Sequence, residues 1–303
     1  MNFIITSDWH ICDKIPLCRI DLFEDNMFRK VTEIVDLADE YDAKILIAGD
    51  LFDKWRISHK TMTHLMMLLE RSAEIFCIPG QHDLPQHNLR NLYTSALGEL
   101  TTAGYVLCAN EVTMQTYEDV DIVAVPFGEK VPKLKREKNR ILILMLHQFT
   151  YQKTAQDWQK DIGTKDTALL KKYPEADMII TGDNHQRFMI DQRSQILINP
   201  GSMMRRTADQ YDHEPAVYLY DSERHEVEEI LLDICPNHTA ISREHIDRIE
   251  LHETRISTFV RRLSDDYEVG LSFESNIEAF LSANKVQKPV EELIHEAMEC
   301  QDA

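Results

Sequence analysis

The decapeptide KILIAGDLFD at residues 44–53 reads as a strand, Ile45–Ala48, that ends at a glycine and delivers two carboxylates, Asp50 and Asp53. A short apolar run before a glycine suits a strand buried on both faces. Gly49 allows a sharp turn, so that Asp50 points into a crevice beyond the strand. Working outward, the same arrangement recurs. Phe3–Thr6 leads to Asp8-Trp9-His10, and Ile75–Ile78 leads to Gly80-Gln81-His82-Asp83. Ile141–Leu146 leads to His147-Gln148, and Met178–Thr181 to Gly182-Asp183-Asn184-His185. In open α/β sheets, functional groups gather beyond the carboxyl ends of the strands.

The rest of the chain fits an α/β fold. Ile122–Val125, Ile196–Ile198 and Val217–Tyr220 read as further strands. Phe28, Val31, Ile34, Val35 and Ala38 share one helical face between the first two strands, and Thr61–Leu69 and Leu89–Leu100 read as two more helices. Strands separated by helices imply βαβ units and a largely parallel sheet. Val106–Val125 is hairpin-like, and Glu223–Asp233 reads as the second arm of a terminal hairpin. After Pro236, Ile246, Ile249, Ile256, Phe259, Val260 and Leu263 recur at helical spacing. A shorter helix is expected to carry Ile277, Phe280 and Leu281. A last one opens at Pro289, with Glu291 and Glu292 in the first turn, where the helix dipole favours anions. Its apolar stripe is Val290, Leu293, Ile294, Ala297 and Met298. The expected division is therefore a domain over residues 1–235 and a helical appendage over 236–303.

Composition bounds the function. The 43% hydrophobic content of the 303 residues supports a real core rather than a disordered chain. No run approaches the ~18 apolar residues of a membrane span. Met1 leads directly into Phe3-Ile4-Ile5, without the cationic start and cleavage site of a signal peptide. Six scattered cysteines with no CxxC pair imply reduced thiols in a cytoplasmic protein. The net charge of −19 opposes nonspecific binding to nucleic acid, which needs clustered Lys and Arg. Against it stand the basic run Lys130–Arg140 and the pairs Arg205-Arg206 and Arg261-Arg262, each more simply read as a solvated surface.

The strand-end residues carry a definite chemistry. Carboxylates and imidazoles together suit divalent manganese, iron or zinc, and two such ions ~4 Å apart can clamp the attacking and leaving oxygens of a phosphoryl transfer. Asp50 is the natural bridging carboxylate. His82, oriented by Asp83, is placed to donate to a developing phosphorane oxygen or to protonate the leaving group. A single DxH or GD carries almost no information; five such segments in this order do.

At these residues the sequence resembles the calcineurin-like metallophosphoesterases, whose pattern is DxH, GDxxD, GNHD, a lone His and GHxH. Within that superfamily it looks most like the SbcD-type DNA-repair exonucleases, phage members included. The resemblance covers about residues 1–235 and is reinforced by the turn Asn199-Pro-Gly-Ser202 followed by Arg205. It implies a sandwich of two packed mixed β-sheets flanked by helices. It implies a first metal held by Asp8, His10, Asp50 and His185, and a second held by Asp50, His147, Gln81 and Asp183. His82 would be the catalytic histidine, with Asp53 and Asp83 supporting the ligands. Two departures stand out: the family's GNHD is GQHD here, and its GHxH is Gly182-Asp-Asn-His185. Both replacements can donate oxygen to a hard cation, and the added carboxylate biases the site toward manganese or magnesium over zinc.

Three functional readings follow. The first is a manganese-dependent DNA nuclease that works with an SbcC-like coiled-coil ATPase docked on the C-terminal helices, with a homodimer as a further expectation. The second is a phosphodiesterase or phosphatase for nucleotides or phosphoproteins, since the same motifs serve those substrates. The third is a non-catalytic scaffold acting through its C-terminal helices. The helical appendage favours the first, the retained ligands oppose the third, and overall acidity is the strongest point against DNA. His87, Arg205 and Arg206 are candidates for contact with substrate phosphate, although His87 also suits a loop-ordering hydrogen bond. Trp9 reads as packing. His59, His64, His213, His225, His238, His245, His252 and His295 have no partner motif and read as surface or structural.

Overall fold

The computed structural model describes residues 1–71, 73–152, 157–192 and 195–242, together with 244, 277, 281 and 288. The strands in chain order are β1 (Asn2–Thr6), β2 (Ala43–Ile47), β3 (Ile75–Cys77), β4 (Leu107–Cys108), β5 (Thr113–Thr116), β6 (Val120–Val125) and β7 (Ile141–Leu146). There follow β8 (Thr150–Tyr151), β9 (Thr164–Lys165), β10 (Met178–Thr181), β11 (Phe188–Gln192), β12 (Gln195–Asn199), β13 (Ala216–Asp221) and β14 (Glu226–Leu231). The helices are α1 (Phe23–Glu40), α2 (His59–Leu69), α3 (Ala96–Thr102), α4 (Asp157–Ile162), α5 (Asp166–Lys172) and α6 (Asn237–Ala240).

Two six-stranded mixed sheets form, in the orders β14-β13-β1-β2-β3-β4 and β11-β12-β10-β7-β6-β5, and β8 pairs with β9 apart from them. In the first sheet β1, β2, β3 and β4 are parallel, and the β13–β14 hairpin closes one edge antiparallel. In the second, β6, β7, β10 and β12 are parallel, with β5 and β11 antiparallel at the two edges.

Strand alternation explains the unbroken apolar runs of the sequence. Phe3, Ile5, Leu46, Ala48, Ile143, Met145 and Ile180 fill the core that joins the two sheets. The residues between them face the other way: Ile4, Ile45 and Ile47 pack with Met27, Val31, Ile34 and Val35 of α1. Leu142, Leu144 and Ile179 pack with Leu169 and Leu170 of α5. Truncating such a residue, for example Ile34→Ala, costs about 2–5 kcal/mol.

The expected helix over Leu89–Leu100 is broken in two. Leu89–Thr94 is a 3-10 turn, and α3 begins after Ser95, whose extended backbone (φ −113°, ψ 166°) and Oγ cap the N–H of Gly98 at 3.2 Å. The competing principle is side-chain capping, which outweighs the helical periodicity of the apolar residues. Helix α2 starts two residues before its expected position because Ser58 caps it, and Asp13 in turn binds the Ser58 N–H and hydroxyl, both at 2.7 Å.

The chain divides into two compact units, Met1–Ser242 and Arg243–Ala303. In the second, Glu244, Ile277, Leu281 and Lys288 are helical. The apolar stripes expected at Ile246–Leu263 and Val290–Met298, and Phe280, lie outside the described residues. No described helix is long and apolar enough to cross a membrane. The five cysteines of the described residues are unbridged.

Candidate metal centre

The strands that carry the ligand-type residues, β1, β2, β3, β7 and β10, are parallel within their sheets, so their loops emerge together. Main-chain bonds lock the loops: Asp8 N–H donates to Gly49 O at 3.0 Å and His10 N–H to Asp50 O at 3.1 Å. The two sheets are also joined at the site, where Asp183 N–H donates to the Asp8 carboxylate at 3.2 Å.

Asp8, His10, Asp50 and Asp183 all have left-handed backbones, with φ of +50°, +47°, +51° and +71°. Such a conformation costs of order 1–3 kcal/mol for a non-glycine residue, and strain of this kind concentrates at functional sites. The glycines contribute mainly clearance. A Cβ on Gly49 (φ +95°) would lie 2.2 Å from His147 Nδ1, one on Gly80 would lie 2.1 Å from Asp50 Oδ1, and one on Gly182 would lie 2.3 Å from Ala48 O. Only Gly49 combines that clearance with a positive φ, so the sharp-turn role expected of all three belongs to it alone.

Two overlapping clusters can hold a metal ion. Ligand atoms of Asp8, His10 and His185 lie within 4.8 Å of one another, as do those of Asp8, Asp50 and His147. His10 Nε2 and His185 Nε2 are 3.0 Å apart. His147 donates from Nδ1 to Ala48 O at 2.7 Å, which leaves Nε2, 3.3 Å from Asp50 Oδ2, as the ring position open to a metal ion. Asp50 Oδ1 accepts the His82 N–H at 2.9 Å, so Oδ2 alone faces both clusters. A third cluster, His10, Asp53 and His82, lies on the side of the exposed His82 ring.

Buried atoms without a hydrogen-bond partner test the fit to a cation. They include Asp50 Oδ2, His147 Nε2 and Gln81 Oε1. Each can offer a lone pair to a cation, the Gln81 amide nitrogen being committed to Asp183 Oδ1 at 2.5 Å. An unmet buried polar atom costs about 1–3 kcal/mol, and a divalent cation in the Asp8, Asp50 and His147 cluster would satisfy Asp50 Oδ2 and His147 Nε2. Oxygen and imidazole donors in this mixture suit first-row divalent metals.

The electrostatics agree. Burial pushes the Asp8 carboxyl up to about 8, with the Asp50 charge adding to the rise against the pull of His147. Burial likewise lifts Asp83 to about 7, again with Asp50 contributing. Burial is the largest single influence on Asp50 and opposes its charge, yet His147, His10 and His82 together outweigh it and hold Asp50 well below the usual carboxylate range. The same attraction pushes His147 up to about 10 against its own burial, so Nε2 holds a proton that a bound metal ion would displace. Burial lowers His10 and His185, and Arg206 adds to both shifts. Asp8 and Asp83 thus resist ionisation and His10 and His185 resist protonation, while Asp50 and His147 hold opposite charges on each other; a cation at this point would take the place of the His147 proton.

Several expected roles change. Asp83 does not touch the His82 ring: its carboxylate accepts the N–H groups of Leu51, Phe52 and Gly80 at 3.3, 2.9 and 2.9 Å. It thus pins the two loops that carry Asp50 and Gln81. The ring is oriented instead by the backbone of Asp53, whose carbonyl accepts from His82 Nδ1 at 2.8 Å. Arg205 is buried and spends its guanidinium on the carbonyls of Tyr211 and Cys235, which removes it from phosphate contact. Arg206 does reach the site and bonds Asp53 Oδ1 at 2.5 Å. His87 donates from Nδ1 to Gln81 O at 3.0 Å and so orders the loop, the simpler of its two readings. Trp9 is fully buried with its indole N–H on Thr6, as packing requires. In the basic run, Arg140 clamps Asp121 and Arg136 pairs with Asp177.

Sequence reasoning missed the Asp53 carbonyl, the Arg206–Asp53 pair and Asn199. Asn199 accepts from Thr181 Oγ1 and donates to the carbonyls of Asn184 and Gln186, holding the loop of Asp183 and His185 in place. Its position in the Asn199–Ser202 turn was the available signal; a backbone carbonyl leaves none.

The profile of the calcineurin-like phosphoesterase family matches residues 1–187. The chain belongs to the calcineurin-like phosphoesterases. None of the curated proteins compared matches it. Among solved structures, this phosphoesterase is similar to an archaeal phosphodiesterase at 14% identity and TM-score 0.43, over 77% of this chain and 100% of that one. A Staphylococcus aureus protein proposed as a 5'-nucleotidase, in complex with alpha-ketoglutarate, matches at 15% identity and TM-score 0.46; 78% of this chain covers 54% of that one. Zinc-bound Vps29 from Entamoeba histolytica matches at 14% identity and TM-score 0.37, over 77% of this chain and 99% of that one. As members of a phosphoesterase family built on divalent metals, the residues of this centre are the expected seat of phosphoester hydrolysis.

Proposed function

We propose that this phosphoesterase is a two-metal nuclease, with DNA as its substrate and manganese as its preferred ion. The observation that carries the hydrolytic part is the overlap of two ligand clusters, Asp8, His10 and His185 beside Asp8, Asp50 and His147, with Asp50 Oδ2 and His147 Nε2 buried and without hydrogen-bond partners. The choice of DNA rests on the resemblance of residues 1–235 to SbcD-type exonucleases.

Asp8, His10, Asp50 and His185 would hold one ion, and Asp50, His147, Gln81 and Asp183 the other. Bound metals neutralise phosphate charge and acidify water, which supplies the nucleophile. The chain's own contribution is orientation and proton handling. His82 keeps Nδ1 on the Asp53 carbonyl, so Nε2 is left to face substrate from a half-exposed ring. A protonated Nε2 donates to the developing charge or to the leaving oxygen. Arg206 holds the Asp53 carboxylate and so steadies the loop from which that carbonyl comes.

An SbcC-like coiled-coil ATPase is the proposed partner, docked on the C-terminal helices, and self-association as a homodimer is a further proposal. Deleting residues 273–303 should abolish ATPase association and spare hydrolysis of a small phosphodiester.

The test is incubation of the purified protein with end-labelled linear DNA and with bis-p-nitrophenyl phosphate, with and without manganese. Manganese-dependent shortening of the DNA supports the nuclease. Cleavage of the small ester with intact DNA would move the assignment to a nucleotide phosphodiesterase or phosphatase.

A further inference from the structure

A segment just beyond the metal ligands has a composition unlike that of the chain around it. Lys54 to Lys60 reads KWRISHK, with three cations, a histidine and a tryptophan and no acid, in a protein of net charge −19. It follows directly on Asp53, whose carbonyl holds the His82 ring. Two residues of chain span at most about 7 Å, so Trp55 is tethered close to the catalytic histidine.

The side chains of this segment are arranged as well as enriched. Arg56 Cζ lies 3.9 Å from the centroid of the Trp55 ring, so the guanidinium stacks on the indole and presents its outer face. Arg56 is exposed, as is Lys54. Trp55 is fixed by its carbonyl, which accepts the Ala96 N–H at 2.8 Å at the start of α3. The stacked pair lines a groove of about 600 Å³ together with Ile57, Met62, Tyr93 and Thr102. Tyr93 is 59% exposed and adds a second aromatic surface. Glu99 is the one acid of the lining.

We propose that Trp55 and Arg56 form a platform for single-stranded nucleic acid on the rim of the metal centre. A base stacks on the guanidinium–indole pair or on Tyr93, and Arg56 and Lys54 contact the backbone phosphates. Stacking accepts any base, because every base has a π-face, and a cation beside the ring adds attraction. The arrangement also answers the objection raised by overall acidity. Phosphate contact needs a local cluster of cations rather than a basic protein, and the surrounding negative surface would keep the strand off the rest of the molecule. The platform deepens the nuclease reading of the same centre and rests on it for its choice of polymer.

The experiment measures fluorescence polarisation of a labelled oligo(dT) titrated with the full chain in EDTA, alongside hydrolysis of bis-p-nitrophenyl phosphate and of the oligonucleotide in manganese. Trp55→Ala and Arg56→Ala should weaken oligonucleotide binding about 5- to 100-fold, the range of one lost stacking contact. Trp55→Phe should retain most of the affinity, and turnover of the small ester should stay within about twofold of wild type in all three. Arg56→Ala, at an exposed position, guards against a Trp55→Ala protein that fails to fold. Wild-type affinity in Arg56→Ala, or no oligonucleotide binding by the wild type, overturns the platform. A wild-type dimer that Trp55→Ala dissociates without changing oligonucleotide affinity overturns it too, and assigns the groove to a second copy. If the wild type binds oligo(dT) through Trp55 and Arg56 but never cleaves it, the platform stands and the nuclease reading falls. If it cleaves DNA with all variants unchanged, the reverse holds.

Discussion

His147 turns Nε2 toward Asp50 Oδ2 at 3.3 Å, while its Nδ1 is anchored to the carbonyl of Ala48. The two residues follow strands of different sheets, β7 and β2, so this pair joins the sheets at the same point as the candidate metal centre. Both atoms, Asp50 Oδ2 and His147 Nε2, lack hydrogen-bond partners. Manganese should therefore raise the melting temperature, since a ligand that binds only the folded state stabilises it. Asp50→Asn keeps an acceptor for the His82 N–H and removes the charge, so the manganese-dependent rise should vanish. Differential scanning calorimetry with and without EDTA reads the effect; an undiminished rise in Asp50→Asn would remove that carboxylate from the ligand set.

His82 and Asp83 are neighbours with different work, and their variants should separate. His82→Ala should keep its metals and its melting temperature and lose about 10²–10⁴-fold in rate. Asp83→Ala strips acceptors from three buried backbone N–H groups, at about 1–3 kcal/mol each where no water replaces it, and should lower the melting temperature first. Thermal melts paired with initial rates distinguish them. A fully stable Asp83→Ala protein with His82-like kinetics would return Asp83 to a catalytic role.

Gly49→Ala should damage the centre without touching a ligand. The new methyl would sit 2.2 Å from His147 Nδ1, on a backbone at φ +95° that alanine disfavours. Displacing His147 should weaken the second metal more than the first. Metal stoichiometry by inductively coupled plasma mass spectrometry after dialysis gives the answer, with about one ion per chain expected rather than about two.

Asp183 accepts from the Gln81 amide, and its N–H reaches Asp8, so it ties both sheets to the site. Asp183→Ala should lose the second ion and keep the first, and Asp183→His should restore two with a shift toward zinc, because imidazole is the softer donor. Metal content after equilibration in mixed manganese and zinc checks this. Two ions retained in Asp183→Ala would leave Asp183 a turn residue only.

His213, outside the ligand set, offers a pH test. It is largely buried, donates from Nε2 to Ser202 O at 2.9 Å, and burial lowers it to about 4 from an ordinary 6.5. A folded value below the unfolded one means the unfolded chain binds the proton first. Stability from this group is complete above about pH 6.5 and is lost as pH falls toward 4, by on the order of 2–3 kcal/mol. His213→Gln keeps a donor without a titrating ring, so urea melts at pH 7 and pH 4.5 should differ less for the variant. Equal acid sensitivity in both proteins would assign the loss to other groups.

The sequence by itself determined the fold class and the segments that bring candidate ligands together. Strands buried on both faces demand unbroken apolar runs, and those runs are local, as are the Asp, His and Gly residues that end them. Thus β1, β2, β7 and β10 were legible together with Asp8, Asp50, His147 and His185. Only the tertiary structure decided which groups support them. Asp83 lies beside His82 in the chain yet spends its carboxylate on backbone of the β2 loop, and the carbonyl that orients His82 belongs to Asp53, 29 residues away. Arg205 and Arg206 are adjacent, but one is consumed by the carbonyls of Tyr211 and Cys235 while the other meets Asp53 across 153 residues. The physical reason is that a hydrogen bond is set by direction and by competing partners in space. Periodicity and residue type report only burial and chemical capacity, and the partner is chosen when the sheets pack.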